Sequence, residues 1–587
     1  MYWPSLLRQL TKQYVTTCDI YNCFSLELEE ERGKDMKQLK DPVYGYINVD
    51  DEYIPLIDTA EFQRLRNIRQ TGYQALYPSA LHNRFVHSFG VFHLGEKAFD
   101  CFKKNVCEGN FPENDFPEYR SANWGKLRKS FLLACLLHDV GHSPFSHTGE
   151  EYYKRSTDFR TEFKKVLPEC VDFIEDLKNG TGKPHEAMSA LVGLEMLRQY
   201  KICDIDEELF VRAIIGVKYK SNDDSHLIEN TIIEMLNGSL IDVDKLDYLL
   251  RDAYVTGFNT MVLDVDRLFA GYTIVKYTDV SSKPRYIAAY KRGALSVIEN
   301  VTFANDLERH WIQNHPAILY DVKLIQRAIE LYDEYMVTTY AEKLGAKKSI
   351  FTKDALSPLG YKEKGIPLCL LCDDDIVYWL KNVSSNIKIS GQFFNRSKRL
   401  KPLWKSEIEF RHLERELIGQ GIRRAFKNEL KAIKDNTFFI NGETLELAES
   451  EKKCQEEASE STNPQIRDIA ETALPAQEKV LRVLRLFKQF ATDDELDFEF
   501  AFIYMDNNFE SNYVKLEQSD IHIVFAPKRI IPLRQALAVR GLKPNEDEKD
   551  GHYFLYTTSQ NIQRLVQKGK NPAEEIMTYI SKHWDIV

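Results

Sequence analysis

The segment ACLLHDVGHSPFSH, residues 134–147, is the most informative stretch of this chain. Its apolar first half has the composition of a buried helix, and three of the chain's 14 histidines and an aspartate follow within ten positions. Adjacent helical residues point about 100° apart, yet His138 and Asp139 can converge on one ion beside the helix end. Gly141 and Pro144 predict that the helix ends nearby. The segment therefore predicts a buried helix whose end carries metal-binding groups.

Two other segments supply groups of the same kind. They are LHNRFVHS, with His82, Arg84 and His87, and IDVDKLDYLLRD, with Asp242, Asp244, Lys245, Asp247, Arg251 and Asp252. A set of His, His-Asp and Asp offers two nitrogens and two oxygens, which suits Fe, Mn, Zn or Ni with positions left for water or phosphate. The positively charged side chains of Arg84, Lys245 and Arg251 are suited to binding phosphate. A lone His-Asp pair is more often a packed or capping histidine, but three such segments together favour a metal site.

The composition is that of an ordinary globular protein, with 43% apolar and 28% charged residues. The longest apolar run, Phe131–Leu137, is too short to cross a bilayer, and no secretory signal is visible, so we expect a cytoplasmic protein. Ten scattered cysteines suit a reducing compartment, and the lone pair of Cys369 and Cys372 is typical of packing rather than zinc binding. A formal net charge of -11 argues against broad nonspecific affinity for nucleic acid.

The hydrophobic patterns predict a mainly α fold. We expect a helical catalytic core with a small β-hairpin at 272–290, followed by a smaller C-terminal α+β domain. The predicted segments are a helical lead-in at 1–35, the core at 36–345, a mixed helical extension at 346–448, a polar linker at 449–466, and the C-terminal domain at 467–587. We assign regulation or subunit assembly to the C-terminal domain.

The extension contains two basic clusters, at 395–405 and 422–434. Such clusters are typical of a solvated helix face, and binding of a regulatory nucleotide or of a single-stranded nucleic acid are the alternatives. Trp404 and Phe426 offer aromatic faces on which the bases of a single strand could stack. Nucleic acid is therefore a minor candidate among the partners.

Five motifs follow one another across residues 37–320: IDTAEFQRLRNIRQTG, HNRFVHSFGV, LLHDVGHSPFSH, PHE and IDVDKLDYLLRD. In this order they resemble the HD-domain deoxynucleoside triphosphate triphosphohydrolases, a family with a mammalian SAM-and-HD-domain member and bacterial dGTPase-like relatives. We expect no SAM domain, and residues after about 345 resemble the family only weakly. The resemblance implies a metal-dependent enzyme that hydrolyses a dNTP to deoxynucleoside and inorganic triphosphate by water attack at the α-phosphate.

The resemblance also assigns roles to individual residues. The implied metal ligands are His87, His138, Asp139 and Asp244. The implied catalytic residues are His142, His147, Glu150, His185 and Glu186. The implied substrate-binding residues are Arg84, Lys245 and Tyr248 for the triphosphate, Gln70 and Asp252 for the sugar 3′-hydroxyl, and Gln313 for the base. The implied cofactors are one divalent transition metal in the HD site (Fe, Mn, Zn or Ni) and Mg or Mn on the nucleotide phosphates.

The chemistry agrees with these residue types. The departing 5′-oxygen needs a proton donor, and histidine suits this role because its unperturbed pKa is about 6.5. The resemblance gives the role to His147, with Glu150 behind it where a family example has the shorter aspartate. The sequence has no GxxxxGK[ST] loop, so cations and a metal must hold the phosphates.

One departure from the family concerns the sugar. A family example has a tyrosine under the sugar that excludes a 2′-hydroxyl, whereas this sequence has Ile312 at the aligned position, beside Trp311. Either side chain could fill the space, so selectivity for deoxynucleotides is left open.

A second departure concerns regulation. Asp58, Gln63 and Arg66 match residues that recognise a guanine activator at a subunit interface of the mammalian member, but the surrounding cations match poorly. The alternative is a helix kept only for packing and oligomer contacts. We expect a homo-oligomer (a dimer, tetramer or hexamer), and analogy alone extends the function to dNTP depletion that starves viral replication.

Two other functions are kept as alternatives. One is an HD phosphodiesterase or pyrophosphohydrolase that acts on a signalling nucleotide. The other is a nucleotide sensor or nucleic-acid-binding protein with a slow HD site. The DVDKLDY segment argues against the first, because its lysine and tyrosine suit a linear triphosphate.

Overall fold

The computed structural model describes most of the chain. The described residues are 36–108, 122–220, 225–258, 262–278, 285–345, 347–383, 388–433, 439–461, 463–505, 519–526, 529–537 and 551–584. The predicted helical lead-in at 1–35 lies outside them.

Helices dominate the core, as predicted. In chain order they are α1 Ile54–Ile57, α2 Ala60–Gln63, α3 Arg84–Cys107, α4 Trp124–Leu137, α5 Glu151–Ser156, α6 Phe159–Val166, α7 Val171–Asp176, α8 Pro184–Gln199, α9 Glu207–Ile215, α10 Leu227–Leu236, α11 Val243–Thr256, α12 Val265–Gly271, α13 Leu295–Glu308, α14 Pro316–Thr339, α15 Ala341–Leu344 and α16 Lys353–Leu356. Among the described residues, no helix combines the length and the apolarity that crossing a membrane requires.

Side-chain caps fix where the three motif-bearing helices begin. Asn83, Asn123 and Asp242 each accept a hydrogen bond from the backbone amide three residues later, at the starts of α3, α4 and α11. The second half of α4 is apolar on every side and fully enclosed, and it ends at His138. Burial of this helix therefore carries His138 and Asp139 into the centre of the core.

The motif IDTAEFQRLRNIRQ differs from the single helix that its apolar spacing predicts over 57–70. It forms the short helices α1 and α2 and a 3₁₀ turn at Arg64–Asn67. Thr59 causes the break, because its side chain accepts a hydrogen bond from the amide of Phe62 and so starts a new helix. The broken path brings Arg64 back toward the buried end of α4.

The strands are β1 Met36–Asp41, β2 Gly45–Asp50, β3 Tyr272–Tyr277, β4 Arg285–Lys291, β5 Lys401–Pro402, β6 Phe439–Asn441, β7 Glu499–Met505, β8 His522–Ala526, β9 Arg529–Pro532 and β10 His552–Thr557. They form a β1–β2 hairpin, a sheet in the order β3-β4-β8-β9, and a sheet in the order β5-β10-β7-β6. The predicted hairpin at 272–290 is confirmed, with Tyr272 opposite Tyr290.

Strand β8 joins the core rather than the C-terminal sheet. It runs parallel to β4, with Ile523 opposite Tyr290. Strands β5 and β6, from the predicted extension, in turn complete the C-terminal sheet. The two parts of the chain are therefore interleaved, because backbone pairing is not bound by order along the sequence.

The later helices are α17 Asp373–Asn382, α18 Lys388–Phe394, α19 Glu407–Leu417, α20 Gln420–Ile433, α21 Gly442–Ser459, α22 Pro464–Asp493, α23 Leu533–Leu537, α24 Ser559–Gln567 and α25 Pro572–His583. The segment at 449–466, predicted as a polar linker or loop, carries the end of α21 and the start of α22. Helix α21 is anchored before its polar stretch, where Leu445 and Ala448 are buried in the C-terminal core. A few buried residues at one end thus hold a helix that is polar elsewhere.

The predicted aromatic faces of the basic clusters are not on the surface, and this prediction was wrong. Trp404 is fully buried and its indole nitrogen donates a 2.9 Å hydrogen bond to the carbonyl of Tyr553. Phe426 is also buried and meets Trp584 edge-on at 4.9 Å. Both rings belong to the C-terminal hydrophobic core, because burial of a large aromatic ring outweighs the solvation of the lysines and arginines around it.

Candidate active site

One face of helix α11 runs through the whole site. Asp244, Tyr248 and Asp252 are spaced four residues apart, so their side chains lie on the same side of the helix. At a rise of 1.5 Å per residue, the Cα atoms of Asp244 and Asp252 are about 12 Å apart. The helix therefore lines a site long enough for a ligand with two chemically different ends.

His87, in the first turn of α3, lies between two carboxylates of α11. Its Nδ1 is 2.7 Å from Asp247 Oδ2, and its Nε2 is 2.9 Å from Asp244 Oδ1. Burial alone would lower the pKa of His87, but the hydrogen bonds to Asp244 and Asp247 outweigh burial and raise the pKa to about 9. Arg251 fixes Asp247 through two hydrogen bonds of 3.0 Å. A carboxylate behind Nδ1 is the usual device that aims the Nε2 of a metal-binding histidine.

Close packing of α3 on α11 makes these contacts. Gly90, one turn after His87, leaves the space that Asp247 occupies, since a Cβ atom at this position would lie 1.8 Å from Asp247 Oδ1. The glycine is therefore part of the geometry that orients His87.

The predicted ligand set fits a metal ion. His138 Nδ1 donates to the carbonyl of Cys135 at 2.9 Å, which leaves Nε2 facing Asp139 at 3.4 Å and Asp244 at 3.8 Å. This buried Nε2 has no hydrogen-bond partner among the described residues. One ligand atom each from His87, His138 and Asp139 lie within 4.8 Å of one another. A buried lone pair beside two carboxylates is the arrangement that a divalent metal satisfies.

Asp139 connects this cluster to its neighbours. Its Oδ2 accepts a 2.8 Å hydrogen bond from Arg84, and its Oδ1 is 3.2 Å from His142 Nε2. Burial would raise the pKa of Asp139, but the charges of Arg84, His138 and His142 outweigh burial and hold the pKa well below its usual range. The carboxylate stays ionised, as a metal ligand must.

Three histidines form a second cluster. The rings of His142 and His185 stack with centroids 4.2 Å apart, and the ring of His147 meets both edge-on. Glu150 lies against two of them, with Oε2 bonded to His185 Nδ1 and Oε1 3.3 Å from His147 Nδ1. Burial would raise the pKa of Glu150, but its hydrogen bonds to His147 and His185 outweigh burial and lower it. One carboxylate therefore orients both imidazoles and leaves their Nε2 atoms for a ligand.

His147 is the accessible member of this cluster, with 59% of its side chain exposed. Desolvation by the surrounding groups lowers its pKa, and repulsion from His185 and Arg84 lowers it further. Glu186, also predicted to be catalytic, accepts a 2.7 Å hydrogen bond from the backbone amide of Lys183 and pairs with its Nζ at 3.1 Å. In the structure Glu186 therefore caps the N-terminus of helix α8.

Of the groups predicted to hold phosphate, Arg84 contacts the first cluster directly, and Lys245 and Tyr248 follow Asp244 on helix α11. Arg84 also donates to Ser146 at 2.9 Å, so its guanidinium is fixed beside Asp139. Lys245 Nζ contacts the carbonyl of Gly238 at 2.7 Å and the carboxylate of Asp242. Tyr248 accepts a 2.7 Å hydrogen bond from Asn305, and burial raises its pKa well above the ordinary value. The phenol thus stays neutral and can donate to an anion.

The far end of the α11 face carries the groups predicted to hold the nucleoside. Gln70 and His82 are joined by a backbone hydrogen bond of 3.1 Å, and His82 Nε2 lies 2.7 Å from Asp252 Oδ1. Gln313 donates to Glu308 at 3.0 Å. Polar groups thus meet at the end of the site opposite the metal cluster.

The aligned residues of the predicted sugar platform differ in position. Ile312 is buried with Tyr73, Ala80 and Ile318 in a small apolar cluster, whereas 44% of Trp311 is exposed. Both residues lie in a π-helical turn at Arg309–Gln313, in which their side chains point in different directions. Of the two, Ile312 therefore packs inward beside Tyr73, and Trp311 does not.

Sequence reasoning missed two residues that position the loop after α4. Buried Arg64 donates to the carbonyls of Val140 and His142 at 2.8 and 2.9 Å. Asp373, at the start of α17, accepts hydrogen bonds from the amides of Phe145 and Arg69. Only the acidic run that follows the CLLC pair marks Asp373 in the sequence, and nothing in that run points to a loop more than 200 residues away.

The predicted activator residues lie together on one surface. Gln63 donates to the carbonyl of Ile57 and accepts a 2.7 Å hydrogen bond from Arg66. Arg66 also stacks over Phe85 at 3.6 Å. Asp58 and Arg66 are exposed. Gln63 and Arg66 are thus oriented by their own neighbours.

Residues 84–249 match the family model described as "HD domain". A relative from Dictyostelium discoideum, named "Deoxynucleoside triphosphate triphosphohydrolase SAMHD1 homolog", is 31% identical over 42% of this chain and 41% of its own length. "Deoxynucleoside triphosphate triphosphohydrolase SAMHD1" of Mus musculus is 31% identical over 39% of this chain and 33% of its own length. "Uncharacterized protein YwfO" of Bacillus subtilis is 30% identical over 52% of this chain and 59% of its own length.

The matched region spans about half the length of the curated relatives. The crystal structure of a hypothetical protein from Aquifex aeolicus aligns with 92% of this chain and all of its own, at 19% identity and a TM-score of 0.47. The family and sequence matches confirm the predicted resemblance. The HD-domain match and the names of these relatives agree with the prediction of an enzyme of the HD phosphohydrolase superfamily.

Proposed function

We propose that this protein is a metal-dependent dNTP triphosphohydrolase that releases deoxynucleoside and inorganic triphosphate. The observation that carries the proposal is the position of Asp139, which contacts Arg84 of the predicted phosphate site and His142 of the second histidine cluster. A predicted metal ligand, a phosphate-binding cation and a proton-transfer group thus meet at one carboxylate. The names of the Dictyostelium and mouse relatives support the same reaction.

His87, His138, Asp139 and Asp244 would hold one divalent transition metal, Fe, Mn, Zn or Ni. When bound, such an ion activates water as a nucleophile and stabilises charge on phosphate oxygens. Asp139 and Asp244 stay ionised, because the pKa of each is held below its usual range by the neighbouring histidines and, for Asp139, by Arg84. The ionised pair would neutralise part of the charge of the ion and fix its place in the site. We extend the proposal to Mg or Mn on the nucleotide phosphates.

In the proposed reaction, water adds to the α-phosphorus and the bond from this phosphorus to the 5′-oxygen breaks. The leaving oxygen takes a proton, for which His147 is the candidate donor. A triphosphate near Arg84 and His147 would favour the protonated imidazole, since the negative charge offsets the repulsion that lowers the pKa of His147. Glu150 would hold the ring in place through Nδ1 and stabilise its positive charge.

The remaining predicted residues divide between the two ends of the substrate. Arg84, Lys245 and Tyr248 would contact the triphosphate, since all three offer donors. Gln70, Asp252 and Gln313 would contact the nucleoside at the far end of α11. Binding of both the triphosphate and the nucleoside would hold the scissile bond in a fixed position. This orientation would accelerate the reaction.

We also propose that a nucleotide activator binds a homo-oligomer at Asp58, Gln63 and Arg66. The support is local: Asp58 and Arg66 are exposed, and the hydrogen bond from Arg66 to Gln63 Oε1 fixes the Arg66 guanidinium beside Gln63. In a cell the reaction would lower the dNTP pool, and a role against viral replication is an extension by analogy alone.

The test of the reaction is product analysis. The protein is incubated with each dNTP, alone and with GTP, in Mg²⁺ and in Mn²⁺, and the products are separated by chromatography. We expect deoxynucleoside and intact triphosphate from the wild type and at least a 10³-fold loss in Asp139→Ala, because removal of a metal ligand removes both nucleophile and charge stabilisation. Asp266→Ala removes an exposed carboxylate and is the matched control.

Monophosphate and pyrophosphate as products would replace this proposal with a pyrophosphohydrolase or phosphodiesterase. Retained dNTP binding without turnover, equal in wild type and Asp139→Ala, would indicate a sensor. Turnover that does not respond to a second nucleotide, and does not change in Arg66→Ala, would contradict the activator site and leave the reaction in place.

A further inference from the structure

Two buried carboxyl groups face each other at the nucleoside end of the site. Asp252 and Glu308 are 1% and 5% exposed and hydrogen-bond to one another. Among the described residues, neither forms an ion pair with a lysine or arginine. Two carboxylates at hydrogen-bonding distance cannot both be ionised in a buried site, so the pair shares a proton.

Glu308 is held in this arrangement by neutral donors. Tyr73 donates to its Oε1 at 3.1 Å, and Gln313 donates to the same oxygen at 3.0 Å. The end of helix α13 therefore places a carboxyl group that Tyr73 and Gln313 hold and that hydrogen-bonds to Asp252.

The same buried region contains polar atoms that have no hydrogen-bond partner among the described residues. They are Gln70 Oε1, both ring nitrogens of His82, and Asp252 Oδ1. Asp252 Oδ1 and His82 Nε2 are 2.7 Å apart, but their orientation does not make a hydrogen bond. Buried polar atoms are normally paired, so this group indicates a place for a ligand that both donates and accepts. A hydroxyl group has that property.

We propose that Glu308 is a positioning residue for the substrate: it shares a proton with Asp252 and so holds Asp252 ready to bind a hydroxyl of the nucleoside. The inference rests on the proposed function, which assigns Asp252 to the sugar. Because the shared proton cancels one of two negative charges, the pair can bind a neutral hydroxyl without driving the two acids apart.

The protonation of the pair gives the inference a pH dependence. Burial raises the pKa of Asp252 to about 7 and raises the pKa of Glu308 further above its usual value. The titratable and charged groups around the pair are Tyr73, His82, Arg84, His87, Asp247 and Tyr248. Burial lowers the pKa of His82 to about 3, so this ring is neutral throughout the neutral range. As pH rises through about 7 the pair therefore goes from two protons to the one shared proton, with Asp252 ionised, and affinity for the hydroxyl should rise.

The experiment measures kcat and KM for dATP and for 2′,3′-dideoxyATP between pH 6 and pH 8.5. The variants are Glu308→Gln, whose amide donates to Asp252 at every pH, Glu308→Ala, and the exposed control Glu334→Gln. We expect the wild-type KM for dATP to fall as pH rises through about 7, because Asp252 releases its proton there while Glu308 keeps its own. Glu308→Gln should follow the wild type, because its amide donates to Asp252 as the protonated acid does, and Glu334→Gln should also follow it.

Glu308→Ala separates positioning from simple structural support. We expect its KM for dATP to approach the KM for 2′,3′-dideoxyATP, because Asp252 is no longer held for the 3′-hydroxyl. Thermal unfolding shows whether the variant folds, and Glu308→Gln is the conservative rescue if it does not. A wild-type KM for dATP in a folded Glu308→Ala protein, or an effect on kcat with KM unchanged, would overturn the inference.

A final arm separates failure of this inference from failure of the proposed function. If the wild type hydrolyses no dNTP, the reaction is wrong, and binding of deoxyadenosine alone is measured by thermal shift across the same pH range. Binding that strengthens as pH rises through 7 in the wild type and Glu308→Gln, and is weaker in Glu308→Ala, would still support the acid pair. Equal binding in the wild type and Glu308→Ala would reject it.

Discussion

The carboxylate of Asp373 accepts a 2.6 Å hydrogen bond from the backbone amide of Phe145, a residue 228 positions earlier in the chain. Its second oxygen accepts a 3.1 Å hydrogen bond from the amide of Arg69. Phe145 has a left-handed backbone with φ of 55° and lies between the histidines of the second cluster. A buried acid of helix α17 therefore holds the loop that carries His142 and His147.

Asp373→Ala should destabilise the protein and slow the reaction. The buried amide of Phe145 and the partly buried amide of Arg69 would lose their acceptor, at a cost of about 3 kcal/mol in the free energy of unfolding. Urea unfolding measures this loss, and kcat should fall because the loop is released. Asp374→Ala, an exposed neighbour in the same helical turn, should cost less than about 1 kcal/mol. Equal losses in the two variants would contradict the anchoring role.

The same residue predicts a pH effect on stability. Burial disfavours the charged form and outweighs the amides of Phe145 and Arg69, so the pKa of Asp373 is raised to about 7. In the unfolded chain the acid releases its proton near pH 4, which means that stability from this group is full below about pH 4 and is lost as pH rises to about 7. Urea unfolding of Asp373→Asn should therefore vary less than the wild type between pH 5 and pH 7. A wild-type-like slope would refute this assignment.

Asp247→Asn tests the orientation of His87. The carboxylate of Asp247 lies behind Nδ1 at 2.7 Å, and loss of such a partner typically lowers metal affinity 10- to 100-fold. Competition with a chelator, followed by metal analysis of the protein, measures the affinity. Asp266→Asn, an exposed acid, should keep wild-type affinity. Metal content that is the same in both variants would show that Asp247 is not needed for the metal site.

Gly141→Ala tests the close approach of the motif loop to helix α8. A Cβ atom at this position would lie 2.3 Å from the backbone nitrogen of Ser189, a contact that side-chain rotation cannot relieve. We expect a loss of about 3 kcal/mol in the free energy of unfolding, the upper range for overpacking. Gly125→Ala, whose Cβ would lie 3.6 Å from Asn123 Oδ1, should be neutral or slightly stabilising. A stable Gly141→Ala protein would mean that the loop can move.

His147→Gln tests proton donation to the leaving group. Loss of a general acid typically costs 10²- to 10⁴-fold in rate, so kcat for a dNTP should fall by that amount while metal content stays at the wild-type value. His412→Gln, an exposed histidine of helix α19, is the control. Unchanged kcat in His147→Gln would assign the proton transfer to His185 or His142.

The site residues that the sequence predicted share one feature, which is a position at the end of a helix or on one face of it. His138, Asp139 and His142 stand at the end of an apolar helix, and Asp244 and Asp252 fall on one face of the next motif helix. Helical periodicity predicts such groupings, because i and i+4 residues share a face. The structure brings His87, His138, Asp139 and Asp244 together, and it places Glu186 at the start of its own helix.

Other features depended on contacts between distant segments. Burial of Trp404, pairing of β8 with β4, and the contact between Glu308 and Asp252 each join residues from separate parts of the chain. No spacing rule relates these partners. The lysines and arginines around Trp404 even favoured the prediction of an exposed ring, because they form the exposed face of the same segment.

The amino-acid sequence by itself determined the helical core, the groups that can bind a metal, and the chemistry they are suited to, since these follow from residue type and short-range periodicity. Only the tertiary structure decided which acids face one another, which amides hold the motif loop, and which aromatic rings are enclosed. Burial changes the charge state of an acid and makes an unpaired polar atom costly. Those effects arise when segments that are distant in the sequence pack together. For that reason the roles of Glu308 and Asp373 could be identified only from the folded structure.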